Sequence, residues 1–317
     1  MSTENLTHNR MKQTSEHKSA VQGCQWTRLR NFSAGISLIL TLAFLSGACG
    51  FEMRDAPASF KSFSQSRDMT EVKELRANLE LPVGELNVDS LPSNDKRAFQ
   101  LDVDYNDYIF EPSVKADTFG SVMDMRFQLR HLRRSYRTVK SHADFHFNRN
   151  LPLELNIKTG VGENRVDVSQ LKIRELRVKA GVGELELTAT EPGTEECHRI
   201  EFQSGVGKFE AVGLGNLNFQ SLDFQGGVGE TTLDLTGNWK RNADVDVKVG
   251  IGEINIVLPS SVGAEVYAPK NFLSGLNLRD FTKEQGNTYR SNNYNSAPYR
   301  LRFDVKSGIG SVNFRWK

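Results

Sequence analysis

Through much of the chain, apolar side chains recur two residues apart, the alternation of a half-buried β-strand. In residues 176–189 the apolar positions are Leu176, Val178, Ala180 and Val182, and then Leu185, Leu187 and Ala189. The parity flips between the two runs, and Gly181 and Gly183 stand at the flip. The same change occurs from Val247, Val249 and Ile251 to Ile254, Ile256 and Leu258, and from Phe303, Val305 and Ile309 to Val312, Phe314 and Trp316. A strand that changes parity while serving one core needs an extra residue or a corner. Glycine supplies both the positive φ and the close backbone approach that such a corner demands.

The unit returns seven times, centred on Pro82-Val83-Gly84, Gly160-Val161-Gly162, Gly181-Val182-Gly183, Gly205-Val206-Gly207, Gly227-Val228-Gly229, Gly250-Ile251-Gly252 and Gly308-Ile309-Gly310. Counted on Gly84, Gly162, Gly183, Gly207, Gly229, Gly252 and Gly310, the gaps are 78, 21, 24, 22, 23 and 58. Short, regular gaps mark a stacked repeat, in which each unit lacks partners for its backbone and its apolar face until a neighbour covers it. The expected fold is all-β: a parallel β-solenoid (β-helix) of about 22 residues per coil over residues 151–317, preceded by a smaller β module at 71–150. An antiparallel sandwich with hairpins competes with it, although Asn-Gly and Asp-Gly turns are scarce. Residues 89–150 carry strand-like segments without the glycine signature, and residues 271–298, rich in asparagine, interrupt the pattern before the last unit.

The amino-terminal region reads as targeting rather than fold. Arg28 and Arg30 precede an apolar run, residues 32–45, that is short for a membrane span. Ser46, Gly47 and Ala48 then lead to Cys49, as in a lipoprotein-type signal. Residues 1–48 are expected to be a signal peptide, Cys49 the lipid attachment site and residues 49–70 a flexible tether. An uncleaved signal anchor is the alternative. Either places the rest of the chain outside the cytoplasm, attached to a membrane.

Charge adds little overall, because 40 Lys and Arg stand against 39 Asp and Glu in 317 residues, and nucleic acid is not an expected partner. Locally, Arg126, Arg130, Arg133, Arg134, Arg137, Lys140 and Arg149 face only Asp144. The first six are candidates for contact with an anionic surface, against a simple solvated loop. Three cysteines are too few for a disulfide framework, and Cys197-His198 alone is a poor start for a metal site. Asp102, Asp104, Asn106 and Asp107 have part of a calcium-loop spacing, but the glycine and the final glutamate are missing and a half-buried strand accounts for them better. The glycines match no phosphate-binding motif, and no hydrolase or metalloprotease signature is present. No metal, cofactor or catalytic residue is expected.

Two polar columns accompany the glycines. Glu85, Glu163, Glu184, Lys208, Glu230, Glu253 and Ser311 follow the second glycine, while Lys158, Lys179, Gln203, Gln225, Lys248 and Lys306 stand two before the first. Stacked like charges repel, so the two columns are expected to compensate each other. They also leave room for a carbohydrate-active enzyme of the β-helix kind.

The runs VKELRANLELPVGELNV, FQLDVDYNDYIFEPSVK and LPLELNIKTGVGENRVDVSQLKIRELRVKAGVGELELTAT resemble the bacterial toast-rack domain (DUF2154-like). Its relatives include the carboxy-terminal domain of cell-wall-antibiotic-response membrane proteins and adhesin-like β-solenoids. The resemblance covers residues 70–317 and implies an envelope-facing solenoid with no catalytic residues. The expected function is therefore that of a non-catalytic, lipid-anchored envelope protein presenting a surface for adhesion or for contact with an envelope polymer or protein. The alternatives are a regulator of an envelope-stress sensor and a glycan-cleaving enzyme.

Overall fold

The computed structural model describes residue 57 and residues 59–133, 140–269 and 275–317. Cys49, Arg134 and Arg137 lie outside these residues, as do the signal peptide and the first part of the tether. Among the described residues nearly all regular structure is strand. The first seven strands are β1 (Phe60–Asp68), β2 (Glu74–Val83), β3 (Glu85–Ser90), β4 (Arg97–Asn106), β5 (Phe110–Phe119), β6 (Val122–His131) and β7 (His142–Phe147). Five long strands follow: β8 (Pro152–Asp167), β9 (Lys172–Thr188), β10 (Arg199–Val212), β11 (Ser221–Asp234) and β12 (Ala243–Leu258). The chain closes with β13 (Val262–Tyr267), β14 (Gly275–Leu278), β15 (Phe281–Lys283), β16 (Thr288–Ser291) and β17 (Tyr299–Trp316).

The long strands pair parallel and in register, glycine on glycine. Gly162 lies beside Gly183, Gly183 beside Gly207, Gly207 beside Gly229, Gly229 beside Gly252 and Gly252 beside Gly310. This pairing excludes the antiparallel sandwich. It also requires every long strand to fold over. β8 has 16 residues and would run about 50 Å if straight. The step from Asp167 to Lys172 reaches only about 18 Å, yet Pro152 pairs with Lys172 and Asp167 with Thr188. The bend falls at the glycine pair, and the two halves then face each other across one core. Phe202 and Phe209, from opposite halves of β10, meet with ring centroids 5.1 Å apart, and Phe303 and Phe314 of β17 meet at 5.2 Å.

Inside the bend the alternation runs as expected, with Leu176, Val178, Leu185 and Leu187 all buried. The expectation for the corner itself needs correction. Val182 continues the spacing of the inner face, but it stands outside, as do Val161, Val206, Val228, Ile251 and Ile309, each 44–62% exposed. The flip occurs before the valine. Four corner residues, for example 181–184, cross from one half to the other, and the apolar side chain sits at the apex.

The two long gaps in the repeat are the two ends of the stack. After β3 the chain leaves to build β4–β7, of which β6 and β7 stack parallel on β2 and β3. It then returns, and β8 stacks on the other side of β2 and β3. After β12 it builds β13–β16, and β17 then slots between β12 and the β13–β14 layer. Antiparallel strands cover both ends: β1 on β4, β5 on β6 and β16 on β13. Such covers keep open strand edges from recruiting other chains.

Two expected boundaries therefore shift. Residues 74–90 belong to the same stack as β8, so no separate module ends at 150. Residues 60–68, expected within the tether, form β1, where Phe63 packs on the core and Ser62 and Ser64 donate to Asp104 and Asp102 at 2.6 Å each. The asparagine-rich stretch is likewise structural in part. Asn293 donates to the carbonyls of Ser260 and Val262, and Asn277 donates to Asn313.

Candidate functional site: the glycine corner

The corner is the most regular exposed feature of the fold. Its backbone path depends on glycine at both ends. The second glycine of each pair takes a positive φ, 129° at Gly183 and 134° at Gly207. A Cβ on either glycine would drive into the carbonyl of the glycine one layer below, that of Gly160 for Gly181 and that of Gly162 for Gly183. A corner can therefore stack on the one below it at the ordinary strand spacing of about 4.8 Å only where both its glycine positions lack side chains, as from Gly160 onward; the first corner has Pro82 in place of the first glycine. The residue between them points away from the core, and the result is a ridge of valine and isoleucine running the length of the stack.

Charged columns flank that ridge on the outer faces of the two halves. Before the corner stand Lys158, Lys179, Lys248 and Lys306, all exposed, and after it Glu163, Glu184, Lys208, Glu230 and Glu253. Some of this charge is spent within the chain. Lys158 pairs with Glu80 at 2.9 Å, Lys208 with Glu210 at 2.9 Å and Lys306 with Asp304 at 3.0 Å. The hydrogen bond from Lys208 to Glu210, with attraction from Glu184 and Glu230, raises the pKa of the Lys208 ammonium above its ordinary value. Lys179, Lys248, Glu163, Glu184 and Glu230 make no ion pair within 4.0 Å among the described residues, and none of the pairs above joins one column to the other, so the columns do not compensate each other directly as expected. At the amino-terminal end of the ridge a depression of about 270 Å³ extends from Val83 to Glu184 and is bordered by Lys140. A second depression, of about 440 Å³, lies on the outer face among Asn87, Asp89, Asp144, Arg165, Asp167 and Glu186.

The basic stretch does not form one patch among its described members. Arg130 pairs with Glu111 at 2.6 Å, and Lys140 pairs with Glu85 at 3.1 Å, which holds the Glu85 carboxyl below its usual range. Arg133 donates to the Tyr108 carbonyl and lies over the Tyr108 ring, 4.0 Å from its centroid. Arg149 donates to the Leu91 carbonyl. Arg126 is exposed on β6 opposite Lys115 of β5.

The remaining candidates are structural. Asp102 and Asp104 face outward on β4 and accept the β1 serines, while Asn106 is buried and donates to the Pro57 carbonyl at 2.8 Å. Cys197 is buried, its thiol pushed up to about 12 by desolvation, and His198 contacts Gln220. Among the described residues no three His, Cys, Asp or Glu side chains are placed to hold a metal ion. No helix among them is long and apolar enough to cross a membrane. The exposed valine ridge was missed by sequence reasoning because its apolar positions extended the inward alternation by one step. The signal that could have found it is the parity itself, since Val182 to Leu185 is an odd interval.

A stack of parallel strands in register, turned at paired glycines and carrying a repeated ridge, defines an all-β repeat protein. The chain belongs to the toast-rack family: residues 56–212 and 199–257 match Toast_rack_N, the N-terminal domain of toast_rack, DUF2154. No curated protein matches the sequence. Among solved structures, one described as a "putative cell adhesion protein" from Clostridium sporogenes is 19% identical with a TM-score of 0.45, covering 82% of this chain and 100% of that one. A "putative adhesin" from Bacteroides fragilis is 13% identical with a TM-score of 0.33, covering 80% and 97%. A "putative lipid binding protein" from Parabacteroides distasonis is 13% identical with a TM-score of 0.35, covering 84% and 98%.

Proposed function

We propose that this chain is a non-catalytic, envelope-anchored β-solenoid protein, with about 22 residues per turn, that presents its surface to envelope polymers or to a partner protein. The observation that carries this reading is the rigid stack itself, whose in-register layers repeat charged side chains at the same positions along its outer faces. Repeat proteins use such periodic surfaces to engage extended partners, because every layer offers the same contact at the same spacing. The short apolar run at residues 32–45, followed by Ser46, Gly47, Ala48 and Cys49, supports lipid anchoring outside the cytoplasm. Arg126 beside Lys115 supplies an exposed cationic pair for anionic polymers or head groups.

The test has two arms, both on the full chain produced in a bacterial host. Fatty-acid labelling is expected on the wild-type chain and lost in Cys49→Ala. Purified anionic cell-wall polymer is expected to retain the chain at low salt and release it at a few hundred millimolar salt, where the Debye length falls to roughly 5 Å or less. A chain that remains in the cytoplasm, or that ignores both cell-wall polymer and anionic vesicles at low salt, defeats the proposal.

A further inference from the structure

We propose that the corner ridge is a homodimer interface, in which two chains lie side by side and parallel about a two-fold axis running along the stack. The first argument is the ridge itself. Val161, Val182, Val206, Val228, Ile251 and Ile309 are exposed in successive layers about 4.8 Å apart, a strip of about 25 Å with no polar interruption. A β-branched residue between two glycines would stiffen the corner equally well as threonine, which is as extended and far better hydrated. Threonine occupies none of the six positions, so the apolar character of the strip asks for a cover.

The second argument is the charge on its flanks. Within single layers, Lys158 and Glu163, Lys179 and Glu184, and Lys248 and Glu253 stand on opposite sides of the ridge. A two-fold axis along the stack turns the lysine flank of one chain against the glutamate flank of the other, layer for layer and without offset. A two-fold axis across the stack would set lysine against lysine. Four layers depart from the pattern: in those of Gln225 with Glu230 and of Lys306 with Ser311 one flank is neutral, the Gln203 layer departs on both sides, and the first layer carries Glu80 and Glu85. Where Lys208 replaces the glutamate, Gln203 replaces the lysine, so no lysine meets another. Glu80 and Glu85, which would approach each other in the first layer, are already neutralised by Lys158 and Lys140 of their own chain. Lys179, Lys248 and Glu184 have no ion-pair partner of their own among the described residues, and the second copy supplies one for each, Glu184, Glu253 and Lys179 in turn. A lipid surface fits less well, because the glutamate flank repels anionic head groups. An added strand fits less well too, because the corner layers already bond to one another.

The strip is narrow, below the area of a long-lived dimer, so the association is expected to dissociate on dilution and is best trapped in place. Full chains carrying V182C, V206C or V228C are oxidised mildly in the producing cells. Each is expected to give a disulfide-linked dimer several-fold above the background set by the native cysteines, while K115C on β5 stays at background. In the V228C chain, K179E should lower the dimer yield at least threefold, and K179E with E184K should restore it. Should V182C fail to accumulate, V206C and V228C carry the same expectation. Monomers from folded, protease-resistant V206C and V228C chains overturn the proposal. So does preferential joining of V182C to I251C in co-expressed chains, which would mean an antiparallel pair. Protection of the introduced thiols from a water-soluble maleimide without dimer formation assigns the ridge to lipid or to another protein and overturns it as well. None of these outcomes depends on the anchor or on polymer binding.

Discussion

The carbonyl oxygen of Gly162 stands where a Cβ on Gly183 would have to go. This single approach, repeated from layer to layer, ties the repeat in the sequence to the stack in the structure. Gly183→Ala meets both a positive φ of 129° and that carbonyl, so it is expected to cost more than the roughly 1–3 kcal/mol of backbone strain alone. Gly120→Ala is the contrast, because Gly120 has a φ of 63° with nothing within 4 Å of its Cβ direction. It should cost about 1 kcal/mol. Thermal unfolding of the two variants checks the ordering, and equal losses would count against close approach as the controlling term.

Phe209 links neighbouring layers as well as the two halves of its own strand. It meets Phe202 at 5.1 Å and Phe224 of the next layer at 5.3 Å, and it is 1% exposed. Phe209→Ala should destabilise the fold by about 3–5 kcal/mol and broaden the unfolding transition, since it loosens one layer against another. Calorimetry that shows a loss under 1 kcal/mol would mean that the core closes over the gap.

Thr159 presents the opposite case, a polar atom in an apolar place. Its side chain is 6% exposed and its hydroxyl oxygen has no hydrogen-bond partner among the described residues. The next layer has Ala180 at that position. Thr159→Val keeps the shape and removes the unpaired hydroxyl, so it is expected to stabilise the protein by about 1 kcal/mol. Denaturant midpoints decide the sign, and a destabilised variant would show that the hydroxyl is satisfied in solution.

Asp95 makes a pH-dependent contribution. The Arg97 side chain, and then the Arg97 backbone N–H at 2.8 Å, hold its carboxyl at about 2 against an ordinary value of 3.8. A depressed carboxylate contributes stability above its unfolded value, and that contribution fades as the pH falls from about 3.8 to about 2. Asp95→Asn should therefore flatten the stability–pH curve in that interval and leave its slope near neutrality unchanged. Curves of identical slope through the acid range would refute the assignment.

The sequence by itself determined the repeat. Paired glycines at near-constant spacing, with apolar alternation on either side, dictate strands that bend and stack, because neither the backbone nor the apolar face of one unit is satisfied alone. Tertiary structure decided three further matters. Inward-facing residues at 176 and 178 require a strand, but only the bend shows that Val182 lies past the last inward position. The gaps of 78 and 58 residues read as interruptions, yet they are the detours by which β6 and β7 lie beyond β2 and β3, and by which β17 enters beneath β13. Chain order carries no instruction for that, since it depends on which edge is free when the chain returns. The charges are a third case. Lysines and glutamates in fixed columns are legible along the chain, but which of them find partners depends on distances across layers. Lys158 reaches Glu80, 78 residues away, whereas Lys179 finds no partner among the described residues. Local pattern sets the unit, while the position of each side chain relative to water and to its partners is a property of the assembled stack.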